Sequence, residues 1–369
     1  MNPHGASLTI DLDAITANWH LLKSHGNGAE CSAVVKADAY GTGLEHTGPA
    51  LAKAGCKTFF VAHLGEGERL RRVLPDVTIY VLNGFPEASG PVYAAHMLRP
   101  VLGSLEEIKE WAGFCKAHDL SGEAAIHIDT GLNRLGLEPE IFRSLAAELE
   151  HGRFGFKPTL LMTHLASSET LETLQNEQQT KLFDELAQLT PSIPASLCNS
   201  SAVMRDEFTR HKMMRPGYAL YGGNPTPWTS NPMKPVITLS APILQIRAIK
   251  EGERVGYNAR WVAKRPTKLA VISAGYADGL MRLPPDADKP VAEVLIGDTI
   301  CPVAGRLSMD LMIIDATDAP AQALHRNQLV TLIGGPLDID RVGKTAGTIG
   351  YLILTSLSRR YQRRYLGGA

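Results

Sequence analysis

The chain has 369 residues, enough for two domains or for one barrel carrying an addition, so a single small module is excluded. Lys plus Arg number 37 and Asp plus Glu 38, a formal net charge of −1, so no overall field draws the protein to nucleic acid or an anionic membrane and the expected ligand is small. Five scattered cysteines (Cys31, Cys56, Cys115, Cys198 and Cys301) form neither a CxxC nor a Cys/His cluster, which argues against a disulfide framework and against structural zinc.

The first residues, Met1-Asn2-Pro3-His4-Gly5, lack the basic-then-apolar layout of a signal peptide, and no uninterrupted apolar run is long enough to span a bilayer. With reduced thiols, this predicts a cytoplasmic protein. Residues 8–12 alternate as a half-buried strand should, and 14–22 carry apolar residues at helical spacing. Short apolar runs then recur between helix-like segments, at 32–37, 58–62, 77–82, 97–102, 124–128, 159–164, 195–199 and 213–220. Strands alternating with helices indicate a parallel sheet, and eight such units predict a closed (β/α)₈ barrel of the TIM type over residues 11–228.

Residues 222–235 are rich in Gly, Pro and Asn and read as a linker. Beyond it alternation dominates, at 236–239, 243–249, 268–273, 291–296, 311–314 and 329–333, with a helix expected over 345–358. This predicts a C-terminal, mainly antiparallel β domain over 229–369, joined by an N-terminal strand within 1–10.

The stretch Ala33-Val34-Val35-Lys36-Ala37-Asp38-Ala39-Tyr40-Gly41-Thr42-Gly43 places one lysine at the tip of a buried strand, just before a glycine-punctuated turn. Burial there depresses an ammonium's pKa and leaves a nucleophilic amine suited to imine chemistry; a lysine that snorkels its head into water is the plainer reading. Other polar and reactive residues gather at the ends of the apolar runs: Asp129 to Arg134, His164, Asn199-Ser200 and Arg215-Pro216-Gly217. In a barrel all these ends open onto one face, where active sites lie.

These residues resemble those of the alanine racemases, pyridoxal-phosphate enzymes built from an eight-stranded barrel followed by a β domain. Besides the lysine stretch, the matching pieces are Ile128-Asp129-Thr130-Gly131-Leu132-Asn133-Arg134-Leu135-Gly136, Met162-Thr163-His164, Asn199-Ser200, Arg215-Pro216-Gly217-Tyr218-Ala219-Leu220-Tyr221-Gly222, Val255-Gly256-Tyr257, Gly275-Tyr276-Ala277-Asp278-Gly279 and Gly305-Arg306-Leu307-Ser308-Met309-Asp310. Seven pieces in the family's order carry the likeness over nearly the whole chain.

The resemblance implies that Lys36 carries pyridoxal 5′-phosphate and serves as one catalytic base, with Tyr257 as the other on the opposite face of the substrate. It implies that Arg215 faces the pyridine nitrogen with His164 behind it. Tyr40, Asn199, Ser200, Gly217, Tyr218 (through its backbone) and Tyr351 are implied to bind the cofactor, and Arg134 with the backbone of Met309 to hold the substrate carboxylate. Because Tyr257 lies in the second domain, the family's plan further implies a homodimer with shared active sites. Three tyrosines, Tyr257, Tyr276 and Tyr351, match residues that crowd the family's entrance and favour alanine as substrate, with D-alanine for peptidoglycan as its use.

Two departures stand out. The family often has a carbamylated lysine where this chain has His127, and commonly a histidine where it has Thr42, a change expected to have only a minor local effect. Other readings are a racemase of broader specificity, a decarboxylase or aldolase on the same plan, and a non-catalytic carrier of the cofactor; such carriers lack a β domain, so residues from 236 onward favour the enzyme.

Overall fold

The computed structural model describes residues 5–281 and 292–368. Seven strands form a parallel sheet in chain order: Ala33–Val34, Thr58–Val61, Thr78–Val81, Arg99–Leu102, Glu123–His127, Lys157–Met162 and Ala195–Ser196. An eighth, Met213–Met214, pairs in parallel with Glu30–Cys31, just ahead of the first. Its flanks donate to the seventh: Lys212 N–H to the Ala195 carbonyl (3.1 Å) and Arg215 N–H to the Cys198 carbonyl (2.8 Å). The strands thus close into the expected barrel, with its first staff stepped at Ser32, whose N–H still reaches the Met214 carbonyl (3.0 Å).

Parallel strands are covered on both faces, so their sequences are apolar without alternation. Phe59, Phe60 and Val61 are fully buried for this reason. The helices between them hide one stripe each. In Leu12–Ser24 the buried residues Leu12, Ile15, Trp19 and Leu22 recur at three- and four-residue spacing, and Asp11 Oδ1 caps the helix by accepting from Ala14 N–H (2.8 Å).

The second sheet runs in the order Thr299–Pro302, Glu293–Ile296, Leu329–Ile333, Ile237–Ile249, Ser7–Asp11, Gln362–Leu366, with Thr267–Ile272 and Met312–Asp315 branching from the long strand. All its pairings are antiparallel except that of Ser7–Asp11 with Gln362–Leu366. The runs at 236–239 and 243–249 are one strand. Register shifts after Leu239 and after Ile243 bend it, so that its first half pairs with Leu329–Ile333 and its second with Thr267–Ile272.

The expected helix over 345–358 is two helices, Ile339–Thr345 and Gly350–Thr355. Gly347, at φ +63°, ends the first, and Thr348 N–H returns to the Gly343 carbonyl (2.8 Å). Of the strand expected at 291–296, Val291 lies outside the described residues and the strand itself is Glu293–Ile296. Gln362–Leu366 (Gln-Arg-Arg-Tyr-Leu) carries no alternating pattern and was not legible as a strand. Among the described residues, no helix is long and apolar enough to cross a membrane.

Candidate active site

Lys36, Arg134, His164, Ser200 and Arg215 each follow the C-terminal end of a barrel strand, so they share one mouth. Lys36 is half-buried, and its pKa is lowered, first by desolvation and then by the Arg134 charge, with Glu66 acting in the opposite direction.

The residues after the lysine form a turn of unusual hand. Ala37, Asp38, Ala39 and Tyr40 all have positive φ (54°, 56°, 54° and 51°), the left-handed region that costs an L-residue roughly 1–2 kcal/mol each. The strain is offset locally. Ala37 N–H and Asp38 N–H donate to Glu66 Oε1 (2.6 and 3.3 Å), and Asp38 Oδ1 accepts from Arg69 Nη2 (2.5 Å). Gly41 closes the turn at φ +78°; a β-carbon there would stand 2.1 Å from the Leu354 carbonyl oxygen, so glycine is needed twice over. Thr42 is wholly buried and donates to the Ala39 carbonyl (2.6 Å), which makes this departure from the family pattern part of the turn.

Arg215 is buried. Its guanidinium donates to the Ser196 carbonyl (2.8 Å), Ser196 Oγ (2.5 Å) and the Thr163 carbonyl (2.5 Å), which fixes it rigidly. Burial lowers its pKa to about 10. His164 follows Thr163 just beyond the strand Lys157–Met162, and its pKa is pushed down to about 3 by desolvation and then by the charges of Arg215, Arg134 and Lys36. His127 is lowered to about 4, first by burial and then by Arg215. Both imidazoles are therefore neutral at pH 7.

Beside them lies a small polar recess. Buried Ser200 Oγ accepts from Gly217 N–H (3.0 Å) and Ala219 N–H (3.2 Å), and Asn199 caps the short helix Ser200–Val203 through Ala202 N–H (3.1 Å) while its amide donates to Ser168 (2.7 Å). The recess is walled by aromatic rings: Tyr40 stacks on Tyr221 (4.6 Å) and Tyr218 on Tyr351 (3.8 Å). Tyr218 Oη donates to Asp340 Oδ1 (2.6 Å), so its ring is fixed from the helix Ile339–Thr345.

Arg134 sits exposed on the loop after the fifth strand, with its side chain free of ion pairs among the described residues. The loop is held elsewhere. Asp129 Oδ1 accepts from Gly131 N–H and Leu132 N–H (both 2.8 Å), and Gln175 donates to the Gly131 carbonyl (2.7 Å). Gln179, fully buried, donates to Thr130 Oγ1 (3.3 Å) and to the His164 carbonyl (3.0 Å), joining two loops of the mouth.

Tyr257, in the turn between the paired strands Arg254–Val255 and Trp261–Val262, and Met309 lie instead on the surface of the C-terminal part, 62% and 54% exposed. They belong to neighbouring segments: Gly256 packs near Gly305, while Tyr276 N–H and Ala277 N–H donate to the carbonyls of Ser308 (3.1 Å) and Met309 (2.9 Å).

The sequence reading missed Glu66, Arg69, Gln175, Gln179 and Asp340. Glu66 alone left a trace, because it stands three residues after His63 at a helix start, the spacing of a capping box, and its half of that box forms, with His63 N–H donating to Oε2 (3.3 Å).

Two family descriptions match the chain: "Alanine racemase, N-terminal domain" over residues 10–225 and "Alanine racemase, C-terminal domain" over 236–365. The chain is 52% identical to the alanine racemase of Methylobacterium nodulans over 366 residues, covering 99% of this chain and 97% of that one. It is 47% identical to the alanine racemase of Acidiphilium cryptum, over 97% and 98% of the two chains. The crystal structure of alanine racemase from Bartonella henselae with covalently bound pyridoxal phosphate superposes with a TM-score of 0.91 at 36% identity, covering 98% of this chain and 99% of that one.

Proposed function

The chain belongs to the alanine racemase family, and from that premise we propose that it interconverts L- and D-alanine with Lys36 and Tyr257 as its two bases and pyridoxal 5′-phosphate as cofactor. The observation that carries the reading is the convergence, on one barrel mouth, of an amine with a lowered pKa, a rigidly held buried guanidinium and the recess between Ser200 and Gly217.

The recess suits a phosphate. A β-carbon at position 217 would stand 2.6 Å from Tyr40 Oη, so glycine leaves open the space an anion requires. Tyr40, Ser200, Gly217, Tyr218 and Tyr351 would hold that phosphate, with Asn199 fixing the helix that starts at Ser200, and Lys36 would provide the covalent anchor. When bound, the cofactor delocalises the electron pair left at the substrate's α-carbon once its proton is removed.

The remaining work falls to side chains. Racemisation needs a proton acceptor on one face of the α-carbon and a donor on the other, and Lys36 Nζ and Tyr257 Oη exchange those roles with the direction of reaction. Lowering the Lys36 pKa raises the fraction of free amine, while the adjoining Arg134 guanidinium receives the substrate carboxylate together with Met309 N–H. Arg215 remains protonated at neutral pH with a pKa of about 10, so toward the cofactor's ring nitrogen it can only donate. His164 and His127, both neutral, add no charge behind it.

The exposure of Tyr257 and Met309 supports a homodimer in which each protomer completes its partner's mouth. Five free, buried cysteines support a cytoplasmic location, and supply of D-alanine to peptidoglycan is the proposed use.

The direct test is incubation of the purified protein with each alanine enantiomer, followed by chiral analysis. Both should relax to an equal mixture, and Lys36→Ala should abolish this together with the visible absorbance of bound pyridoxal phosphate. Full activity in that variant would remove Lys36 from the mechanism.

A further inference from the structure

We infer that Glu66 is a positioning residue for the reaction: its carboxylate holds the turn after Lys36 in the left-handed form and so aims the lysine amine. The inference rests on the reading of Lys36 as the anchor of pyridoxal phosphate.

One carboxylate accepts from four backbone N–H groups on two segments. Oε2 takes Ala62 N–H (2.8 Å) and His63 N–H (3.3 Å), the ordinary duty of a residue in the first turn of the helix Leu64–Val73. Capping that helix needs only this oxygen. Oε1 turns the other way, to Ala37 N–H at 2.6 Å and Asp38 N–H at 3.3 Å. At the start of a left-handed turn, as at the start of any helix, the first N–H groups have no partner within the turn, and an anion placed there stabilises a conformation that L-residues otherwise avoid.

The geometry bears directly on Lys36. Ala37 N–H belongs to the peptide plane that begins at the Lys36 carbonyl carbon, so anchoring that N–H sets ψ of Lys36 and with it the direction in which the side chain leaves the backbone. The same helix grips the turn again one turn on, where Arg69 donates to Asp38 Oδ1 (2.5 Å) and, through Nε and Nη2, to Glu45 (2.7 and 2.8 Å). Arg363, from the C-terminal strand, donates to the Gly41 carbonyl (2.7 Å) at the turn's far end. Of these groups, Glu66 is the one that touches the residue next to the lysine.

Glu66→Gln tests this in the holoenzyme. The amide keeps one acceptor oxygen, and if that oxygen caps the helix, an NH₂ group faces the donors of Ala37 and Asp38. Borohydride reduction and peptide mapping should still find the cofactor on Lys36. The kcat for alanine should fall about tenfold or more with KM changed less than about threefold, because a misaimed base harms the chemical step and not the binding of a carboxylate held by Arg134. The visible circular dichroism of bound pyridoxal phosphate should change, and amide exchange of residues 37–40 should accelerate.

Glu66→Asp is the companion, should the glutamine variant not fold. It keeps the charge but is one methylene short of bridging both segments, and it should show the same kcat loss and dichroism change. Wild-type kcat and dichroism in either folded variant would overturn the inference, as would a kcat loss that exchange shows to come from unfolding of the whole barrel. Cofactor mapped to a residue other than Lys36 in the wild-type protein would instead overturn the reading on which the inference rests.

Discussion

His127→Gln should make the protein less sensitive to acid, and the size of the effect follows from burial. In the folded chain the imidazole is driven from an ordinary 6.5 to about 4, first by loss of solvent and then by the Arg215 charge, with Arg134 adding to the effect and Asp129 opposing it. Between pH 6.5 and 4 the unfolded chain therefore binds a proton at this residue that the folded chain refuses. Stability contributed by the neutral ring is fully present above pH 6.5 and is lost as the pH falls toward 4. At about 1.4 kcal/mol per pH unit, the loss across that window is roughly 3 kcal/mol. Glutamine cannot titrate, so the variant should lie within about 1 kcal/mol of wild type at pH 7 and be roughly 3 kcal/mol less penalised at pH 4. His164, whose pKa is lowered to about 3, keeps its own penalty in both proteins. Urea unfolding at fixed protein concentration, repeated from pH 4 to 8, reads the difference directly. Parallel stability curves for the two proteins across that range would refute the reasoning.

Gly217→Ala should weaken cofactor binding by crowding the space beside Tyr40. The added carbon would meet Tyr40 Oη at 2.6 Å, and stacking on Tyr221 keeps that ring from moving aside. Overpacking of this kind costs about 1–3 kcal/mol, so pyridoxal phosphate affinity, titrated by absorbance, should drop by roughly 5- to 150-fold; unchanged affinity would move the phosphate elsewhere. Tyr257→Phe should selectively slow removal of the α-proton from one enantiomer, L-alanine, as followed by exchange in deuterated water. Equal exchange from both enantiomers at wild-type rates would reject Tyr257 as the second base.

The barrel was legible because a strand buried on both faces must be apolar throughout, and eight such runs spaced by helices leave few other closures. Lys36, Arg134, His164, Ser200 and Arg215 were legible for a related reason: each lies at the end of an apolar run or, for Arg134, on the loop just after one, and the C-terminal ends of parallel strands share a face. Within the second sheet the same rules failed where local signals conflicted with distant partners. The runs at 236–239 and 243–249 read as two strands, but bulges let one strand serve two neighbours. Gln362–Leu366 pairs along Ser7–Asp11 at the opposite end of the chain, and its arginines gave no warning of it.

What the residues determined by themselves was the order of elements and the chemical types at their ends, since periodicity, turn residues and strand-end chemistry are properties of adjacent positions. What only the tertiary structure decided was how those ends are held: Glu66 beneath the Lys36 turn, Gln179 between two loops, Asp340 against Tyr218, and Thr163 with Ser196 around Arg215. Each of these contacts joins backbone or side-chain groups from different strands or helices. Hydrogen-bond partners are chosen by position in space, and a spacing along the chain carries no record of them until the barrel has closed.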